Sequence, residues 1–290
     1  MFNYPWTALS GPVATPESTN FSLAGIGMDW TVEKRDLSYS FNGATYRTTQ
    51  QALIRNDTGA CLTVVPDRWT PIQHQQAYDV FVNVCREAGG APVVLGSLDE
   101  SLLWALGLIP ELTIPSIQTQ THLMLVNQYE YGKGIEYYAN IINPTGFTYC
   151  VPLPSVTRKL AVSVLDTVRK ILPPLFQHHT QFQEITGRLI ALPCPDKSAL
   201  SYFTKVFPPS ALAGFNGPGD AIKNLFFGLD KKRTWWDAFC SVSLAIDHIL
   251  GVKPETRLTS SWFGINSKRK QEALRFANLL SLENLEQQIA

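Results

Sequence analysis

The sequence has few charged residues and no long apolar run. Only 17% of its 290 residues are Asp, Glu, Lys or Arg, whereas 45% are hydrophobic. A chain of this length can bury a substantial core, and its low charge also suits a protein that hides surface in an assembly. Because about 18 consecutive apolar residues are needed to cross a bilayer, we expect no membrane span. The first residues carry no basic segment, so we expect no signal peptide.

Cysteine is also scarce, and the sequence lacks the spacings by which proteins bind metals. The five cysteines are an odd number and lie far apart, at Cys61, Cys85, Cys150, Cys194 and Cys240. This pattern is typical of buried thiols in a reducing compartment. No CxxC or HxxxH spacing occurs, so we predict no metal site.

Motifs of established chemistry are missing as well. The chain has no GxxxxGK[ST] loop, no dinucleotide-binding fingerprint and no GxSxG nucleophile elbow. We therefore predict no catalytic residue, no cofactor and a protein that is not an enzyme. An enzyme whose site is assembled from scattered residues stays open as a third hypothesis, because a single sequence does not reveal such a site.

The strand, helix and loop signals in the sequence predict an α+β fold in three parts. Residues 1–20 are rich in Pro, Ser and Thr and are expected to form an N-terminal arm. Residues 21–152 are expected to form a β-rich domain of antiparallel hairpins with one packed helix. Residues 153–290 are expected to form a mainly helical C-terminal half, either separate from that domain or continuous with the same core.

Local signals place the hairpins and the first helix. Apolar and polar residues alternate in the strand before Asn42-Gly43, a dipeptide that favours a two-residue hairpin turn. A second hairpin is predicted around the turn residues 56–59. Apolar residues recur at helical spacing over residues 74–88 and predict an amphipathic helix there.

Capping residues place the C-terminal helices. Ser155 predicts the start of a helix that Pro173-Pro174 would end. Thr234 is predicted to cap a helix that carries two tryptophans, and Ser267 is predicted to open the last helix.

The charges divide unevenly along the chain. Residues 1–150 contain seven Lys or Arg and thirteen Asp or Glu, a net of −6, and residues 151–290 contain seventeen and eleven, a net of +6. Such a chain can pack its acidic front against the basic back of another copy, or it can present one basic face to a polyanion.

Basic residues in the second half form the predicted nucleic-acid site. Lys231-Lys232-Arg233 precedes Trp235-Trp236, and cations beside indole rings are groups that bind single-stranded nucleic acid. The alternative is that these tryptophans are core anchors and the charges cap a helix. Lys268-Arg269-Lys270 lies in the first turn of the last helix. Cations there are unfavourable because they lie at the positive end of the helix dipole, unless an anion or an acidic neighbour compensates their charge. The predicted site consists of Arg158, Lys159, Lys231, Lys232, Arg233, Trp235, Lys268, Arg269 and Lys270.

Three short motifs stand out: Thr234–Trp236, Asp247-His248 and the hairpin Arg55–Gly59. They resemble the T-x-W, DH and R-x-D-T-G motifs of a phage- and plasmid-borne family catalogued as domain of unknown function 932. The resemblance implies a mobile genetic element, DNA maintenance and the cytoplasm of a host bacterium. One departure is Cys150, which is followed by Val151-Pro152 where the family often has Cys-Gln-Asn. The hairpins followed by a helix also resemble single-strand annealing proteins of the Rad52 and phage recombinase type.

Two non-enzymatic functions follow from these observations. The leading hypothesis is a protein that binds and anneals single-stranded DNA as a homo-oligomer without ATP, since base pairing supplies the free energy. The alternative is a structural or interaction protein of a phage, either a virion component or a host-directed inhibitor, that does not bind nucleic acid. Salt separates the two, because phosphate contacts weaken steeply with salt.

Overall fold

Strands occupy most of the first half of the chain and helices most of the second, which confirms the predicted α+β class. The computed structural model describes residues 12–98, 101–130, 135–143, 146–156, 163–207, 218–250 and 254–289. Arg158, Lys159 and most of the predicted N-terminal arm lie outside these ranges. Val13–Ala14, at the described end of that arm, pairs with a strand of the main sheet, and Ala14 is buried.

The strands form two antiparallel sheets. In chain order they are β1 (Val13–Ala14), β2 (Val32–Phe41), β3 (Ala44–Arg55), β4 (Cys61–Pro66), β5 (Ala91–Ser97), β6 (Leu102–Ile114), β7 (Thr119–Gln128), β8 (Ile135–Ile142) and β9 (Thr148–Pro152). The larger sheet has the order β1-β5-β6-β7-β8-β9, and the smaller sheet has the order β2-β3-β4.

Helices follow the sheets in the chain, except for one that lies between them. They are α1 (His74–Glu87), α2 (Val164–Ala191), α3 (Asp196–Val206), α4 (Pro218–Phe227), α5 (Trp235–Leu244), α6 (Pro254–Trp262) and α7 (Ile265–Ile289). Helix α5 continues into a π-helical turn, Ala245–Ile249. No helix among the described residues is long and apolar enough to span a membrane.

The predicted turn at Asn42-Gly43 forms and joins β2 to β3. Asn42 and Gly43 have φ values of 49° and 76°, a backbone that Asn and Gly tolerate best. The second predicted turn also forms, with Gly59 at φ 73° between β3 and β4. The first hairpin extends well past β4, which pairs with β3 only from Gln50 onward.

Helix α1 forms as predicted and lies against one face of the larger sheet. Phe81, Val84 and Cys85 are fully buried in a core that also contains Leu103 of β6. Gly107 of β6 makes this close approach possible, since a Cβ atom there would lie 2.3 Å from the sulfur of Cys85. The amphipathic pattern that predicted the helix therefore also identifies the face that it buries.

Helix α2 departs from its prediction at both ends. Its cap is Ser163, whose hydroxyl accepts a backbone N–H three residues on at 3.3 Å, and not Ser155. It also continues through Pro173 and Pro174, although an interior proline usually costs about 3 kcal/mol. Burial on both sides of the prolines offsets this local cost. The buried residues are Ile171 and Leu175 in the first core and Phe182 and Leu189 in the second.

The C-terminal helices share their core with the larger sheet. Trp235, Trp236 and Phe239 of α5 pack in one cluster with Ile141 of β8 and Phe147, which precedes β9. A strand-derived contribution to this cluster favours a helical half that is continuous with the β-rich part.

The starts of the last helices agree in part with those predicted from the sequence. Thr234 caps α5 as predicted, in a capping box with Asp237. The last helix begins at Ile265, two residues before the predicted Ser267.

Candidate functional site

Two of the three basic residues at 231–233 make ion pairs on the helical surface. Lys231 Nζ lies 2.8 Å from Asp237 Oδ1, and Arg233 Nη2 lies 2.9 Å from Asp196 Oδ1. Lys232 is exposed. This arrangement matches the alternative interpretation, in which these charges cap and brace a helix.

Trp235 and Lys270 are corrections to the predicted site. Both side chains are 0% exposed, so Trp235 has no face to stack on a base and Lys270 has no route to a phosphate. Trp235 packs edge-on against Tyr202 with 6.0 Å between ring centroids. A large indole ring gains more free energy from this burial than from exposure to water.

The basic run at the start of α7 is split among different environments. Lys268 is exposed, whereas Arg269 lies with its guanidinium carbon 4.9 Å from the Phe207 ring and donates to Asn266 Oδ1 at 3.1 Å. Successive residues of a helix point about 100° apart, so three adjacent cations do not share one face. Lys231, Lys232 and Lys268 are the exposed members of the predicted set within the described ranges, and Lys231 is paired with Asp237.

Lys270 belongs to a buried network at the outer strand of the larger sheet. Its ammonium pairs with Asp247 Oδ1 at 2.7 Å and donates to the Thr148 carbonyl at 2.6 Å. The other Asp247 oxygen accepts the Thr148 N–H at 2.6 Å. Both outward-facing backbone groups of Thr148 are therefore satisfied by side chains.

Neighbouring side chains complete the cover of this edge. Ser267 Oγ and Gln271 Nε2 each donate to the Cys150 carbonyl at 2.9 Å. His248 Nε2 lies 2.8 Å from the Gly146 carbonyl. Together these groups take the place of a seventh strand, which closes an edge that would otherwise be open to pairing.

The π-helical turn supplies the acidic member of this network. Asp247 and His248 are adjacent there, and both reach the β9 edge. Such turns are frequent at functional sites. Here the two side chains bind backbone groups, so the D-H motif has a structural role.

A row of three residues with catalytic potential crosses the larger sheet. His122, Asn140 and Cys150 are paired neighbours on β7, β8 and β9, and all three are buried. Burial lowers the pKa of His122 to about 4 and raises the pKa of the Cys150 thiol. A nucleophilic cysteine needs a lowered pKa and access to substrate. The row is therefore part of the core.

Among the described residues, no group of three or more His, Cys, Asp or Glu is arranged to hold a metal ion.

The distal part of the first hairpin, residues 37–48, exposes large aromatic side chains and is termed the aromatic arm. Tyr39, Phe41 and Tyr46 are 57%, 61% and 45% exposed. Tyr39 and Tyr46 are cross-strand partners, and their rings stack with 5.4 Å between centroids and 20° between planes. Exposed rings of this size are costly to leave in water, which points to a surface that is covered in use.

The two faces of the aromatic arm differ in chemistry. Because side chains alternate along a strand, the three rings share one face. The opposite face carries Ser38, Ser40, Thr45 and Arg47. The alternation of Tyr39 and Phe41 before the turn, matched by Tyr46 after it, is a sequence signal that could have identified this face.

A cluster at the root of the hairpin ties the arm to the body. Arg55 pairs with Asp57 at 2.7 Å, and its guanidinium carbon lies 4.3 Å from the Trp30 ring centroid. Trp30 meets the buried His74 edge-on at 5.1 Å. Burial and the nearby Arg55 charge lower the pKa of His74 to about 3. The R-x-D-T-G segment thus anchors the hairpin.

Comparisons of the chain with family models, curated proteins and solved structures find no match. The resemblance to the family of unknown function therefore rests on short motifs, and the functional argument rests on the geometry of the molecule.

Proposed function

We propose that this protein binds single-stranded DNA through its aromatic arm. The observation that carries the proposal is the exposure of Tyr39, Phe41 and Tyr46 on one face of a projecting hairpin. Base stacking on aromatic rings contributes about 1–3 kcal/mol per base and tolerates any sequence, because every base has a π face.

The spacing of the rings fits an unstacked strand. Tyr39 and Phe41 are two residues apart on a strand, which places their side chains about 6.8 Å apart along it. That distance is about twice the 3.4 Å rise of a stacked base, so one base fits between the two rings.

Electrostatics contribute modestly to this interface. Arg47 lies 3.5 Å from Asp36, and Arg35 pairs with Glu33, so the nearby cations are partly neutralised. We expect binding through the aromatic arm to depend on salt less steeply than binding through the basic runs of the second half would, since the salt slope follows the number of phosphates contacted.

The leading hypothesis of annealing by an oligomer extends the same proposal. The net charges of −6 and +6 on the two halves of the chain favour packing of one copy's acidic front against another copy's basic back. A row of arms along such an oligomer holds a strand extended for pairing without ATP. The setting that the motif resemblance suggests is a phage or plasmid in the cytoplasm of its bacterial host.

Fluorescence anisotropy with a labelled oligothymidylate tests the proposal. Tyr39→Ser/Tyr46→Ser removes the stacked pair and should weaken binding at least about tenfold, given the free energy of base stacking. The matched control is Ser40→Ala/Thr45→Ala, the adjacent cross-strand pair on the opposite face, which should bind within about twofold of the wild type, as expected for small surface changes. Equal affinity of the wild type and the tyrosine variant would overturn the proposal.

The second candidate is the structural or interaction protein. It is favoured by the open edges of the arm, since β2 is an outer strand and β3 has no partner on its other side before Gln50 in the described structure. Such edges pair readily with a strand of another chain. In this case light scattering would show self-association that the tyrosine variant abolishes, while oligothymidylate would not bind.

A further inference from the structure

A cavity of about 810 Å³ opens beside α5, and its lining includes no residue of the aromatic arm or of the ion pair and hydrogen bonds at the β9 edge. Its volume falls within the range of small-molecule sites. Helices α2, α4 and α5 and the turn at residues 115–118 form its walls. The apolar lining consists of Pro115, Ile117, Ile190, Leu225, Leu229, Trp236, Cys240 and Leu244.

The charged groups of the cavity are Lys231 and Asp237, which pair at 2.8 Å. Both carboxylate oxygens of Asp237 already have partners. One oxygen faces Lys231, and the other accepts hydrogen bonds from the N–H and the hydroxyl of Thr234 at 2.8 and 2.9 Å. Its side chain is 9% exposed, whereas that of Lys231 is 57% exposed. An ammonium has three donors. Lys231 is therefore the charged group that meets an incoming molecule.

We propose that this cavity binds an amphipathic carboxylate, a molecule with an apolar body and one anionic head. The body lies against Trp236, Leu225 and Leu244, and the head accepts a hydrogen bond from Lys231. Burial of the apolar body supplies most of the affinity, and the charge-assisted bond supplies the preference for an anion. The site is independent of the aromatic arm, so its test does not depend on DNA binding.

Calorimetric titration with octanoate tests this site, with octyltrimethylammonium as the probe of opposite charge. The wild type should bind octanoate and bind the cation more weakly. Lys231→Gln should weaken octanoate binding about tenfold, which corresponds to about 1.4 kcal/mol and to the loss of one charge-assisted hydrogen bond. The adjacent Lys232→Gln removes an equal charge outside the cavity and should leave octanoate binding within about twofold of the wild type, as for other surface changes.

A blocking variant locates the binding. Leu229→Trp enlarges a half-buried wall residue and should abolish octanoate binding while the circular dichroism spectrum is retained. The proposal is overturned by any of three results: no octanoate binding to the wild type, cation binding at least as tight as octanoate binding, or equal weakening by Lys231→Gln and Lys232→Gln.

Discussion

Lys270 and Lys231 show how one residue type takes two roles in this chain. Lys270 is 0% exposed, and its ammonium meets Asp247 and the carbonyl and hydroxyl of Thr148. Burying two charges costs several kcal/mol per ion, so such a pair persists only where every remaining donor and acceptor is satisfied. Lys231 makes a similar contact with Asp237, but the lysine side chain is 57% exposed, so solvent screens this ion pair.

Lys270→Met should lower the free energy of unfolding by about 3–5 kcal/mol, because Asp247 would remain buried without its partner. Urea denaturation at neutral pH measures this loss. Lys268→Met, two residues earlier and exposed, is the matched control and should change stability by less than about 0.5 kcal/mol. Adding Asp247→Asn to the Lys270 variant should recover part of the loss; similar effects of the two lysine variants would show that the network contributes little.

At the scale of secondary-structure elements, two glycines illustrate opposite packing demands. Gly107 of β6 faces α1, and a Cβ there would lie 2.3 Å from Cys85 Sγ and 3.2 Å from Phe81. Gly187 lies inside α2, and apart from its chain neighbours and the nearby helix backbone no atom lies within 4 Å of the position where its Cβ would be. The first glycine permits a close contact between elements, whereas the second only weakens its own helix.

Alanine substitutions at these glycines should therefore shift stability in opposite directions. Gly107→Ala should destabilise by about 1–3 kcal/mol because α1 must move away from the sheet. Gly187→Ala should stabilise by about 0.5–1 kcal/mol because alanine has the higher helix propensity. Thermal denaturation followed by circular dichroism distinguishes them, and a Gly107 variant as stable as the wild type would contradict the close packing of α1.

At the scale of the whole molecule, the β-rich and helical parts depend on each other. Helix α2 contributes Leu175 to the first core and Phe182 to the second. The β9 edge takes its hydrogen bonds from the π-helical turn and α7. Without the C-terminal helices, the larger sheet would lose both the cover of its edge and part of its buried surface.

We accordingly expect the chain to unfold in a single cooperative transition. Far-UV circular dichroism reports the helices, and tryptophan fluorescence reports both parts, since Trp30 and Trp104 lie in the first and Trp235 and Trp262 in the second. The two signals should give the same urea midpoint. Two separated midpoints would instead indicate that residues 153–290 form an independent unit.

The sequence by itself determined the features that depend on a few neighbouring residues. Asn42-Gly43 specifies its turn because few other residues accept positive φ at both positions, and Thr234 specifies a cap because its hydroxyl reaches a backbone N–H nearby. The periodicity of residues 74–88 predicted α1 for the same local reason. These features were sufficient for the α+β class.

Only the tertiary structure decided which residues are buried and with what they pair. Lys268 and Lys270 are alike in the sequence, yet Lys268 is exposed, whereas Lys270 is neutralised by Asp247 and donates hydrogen bonds to Thr148, both far from it in the chain. The path of α2 through Pro173 was likewise unpredictable locally, because its cost is offset by burial against strands and helices from elsewhere. Burial and charge pairing depend on such distant contacts, and for that reason the basic runs do not form one exposed surface whereas the aromatic arm does.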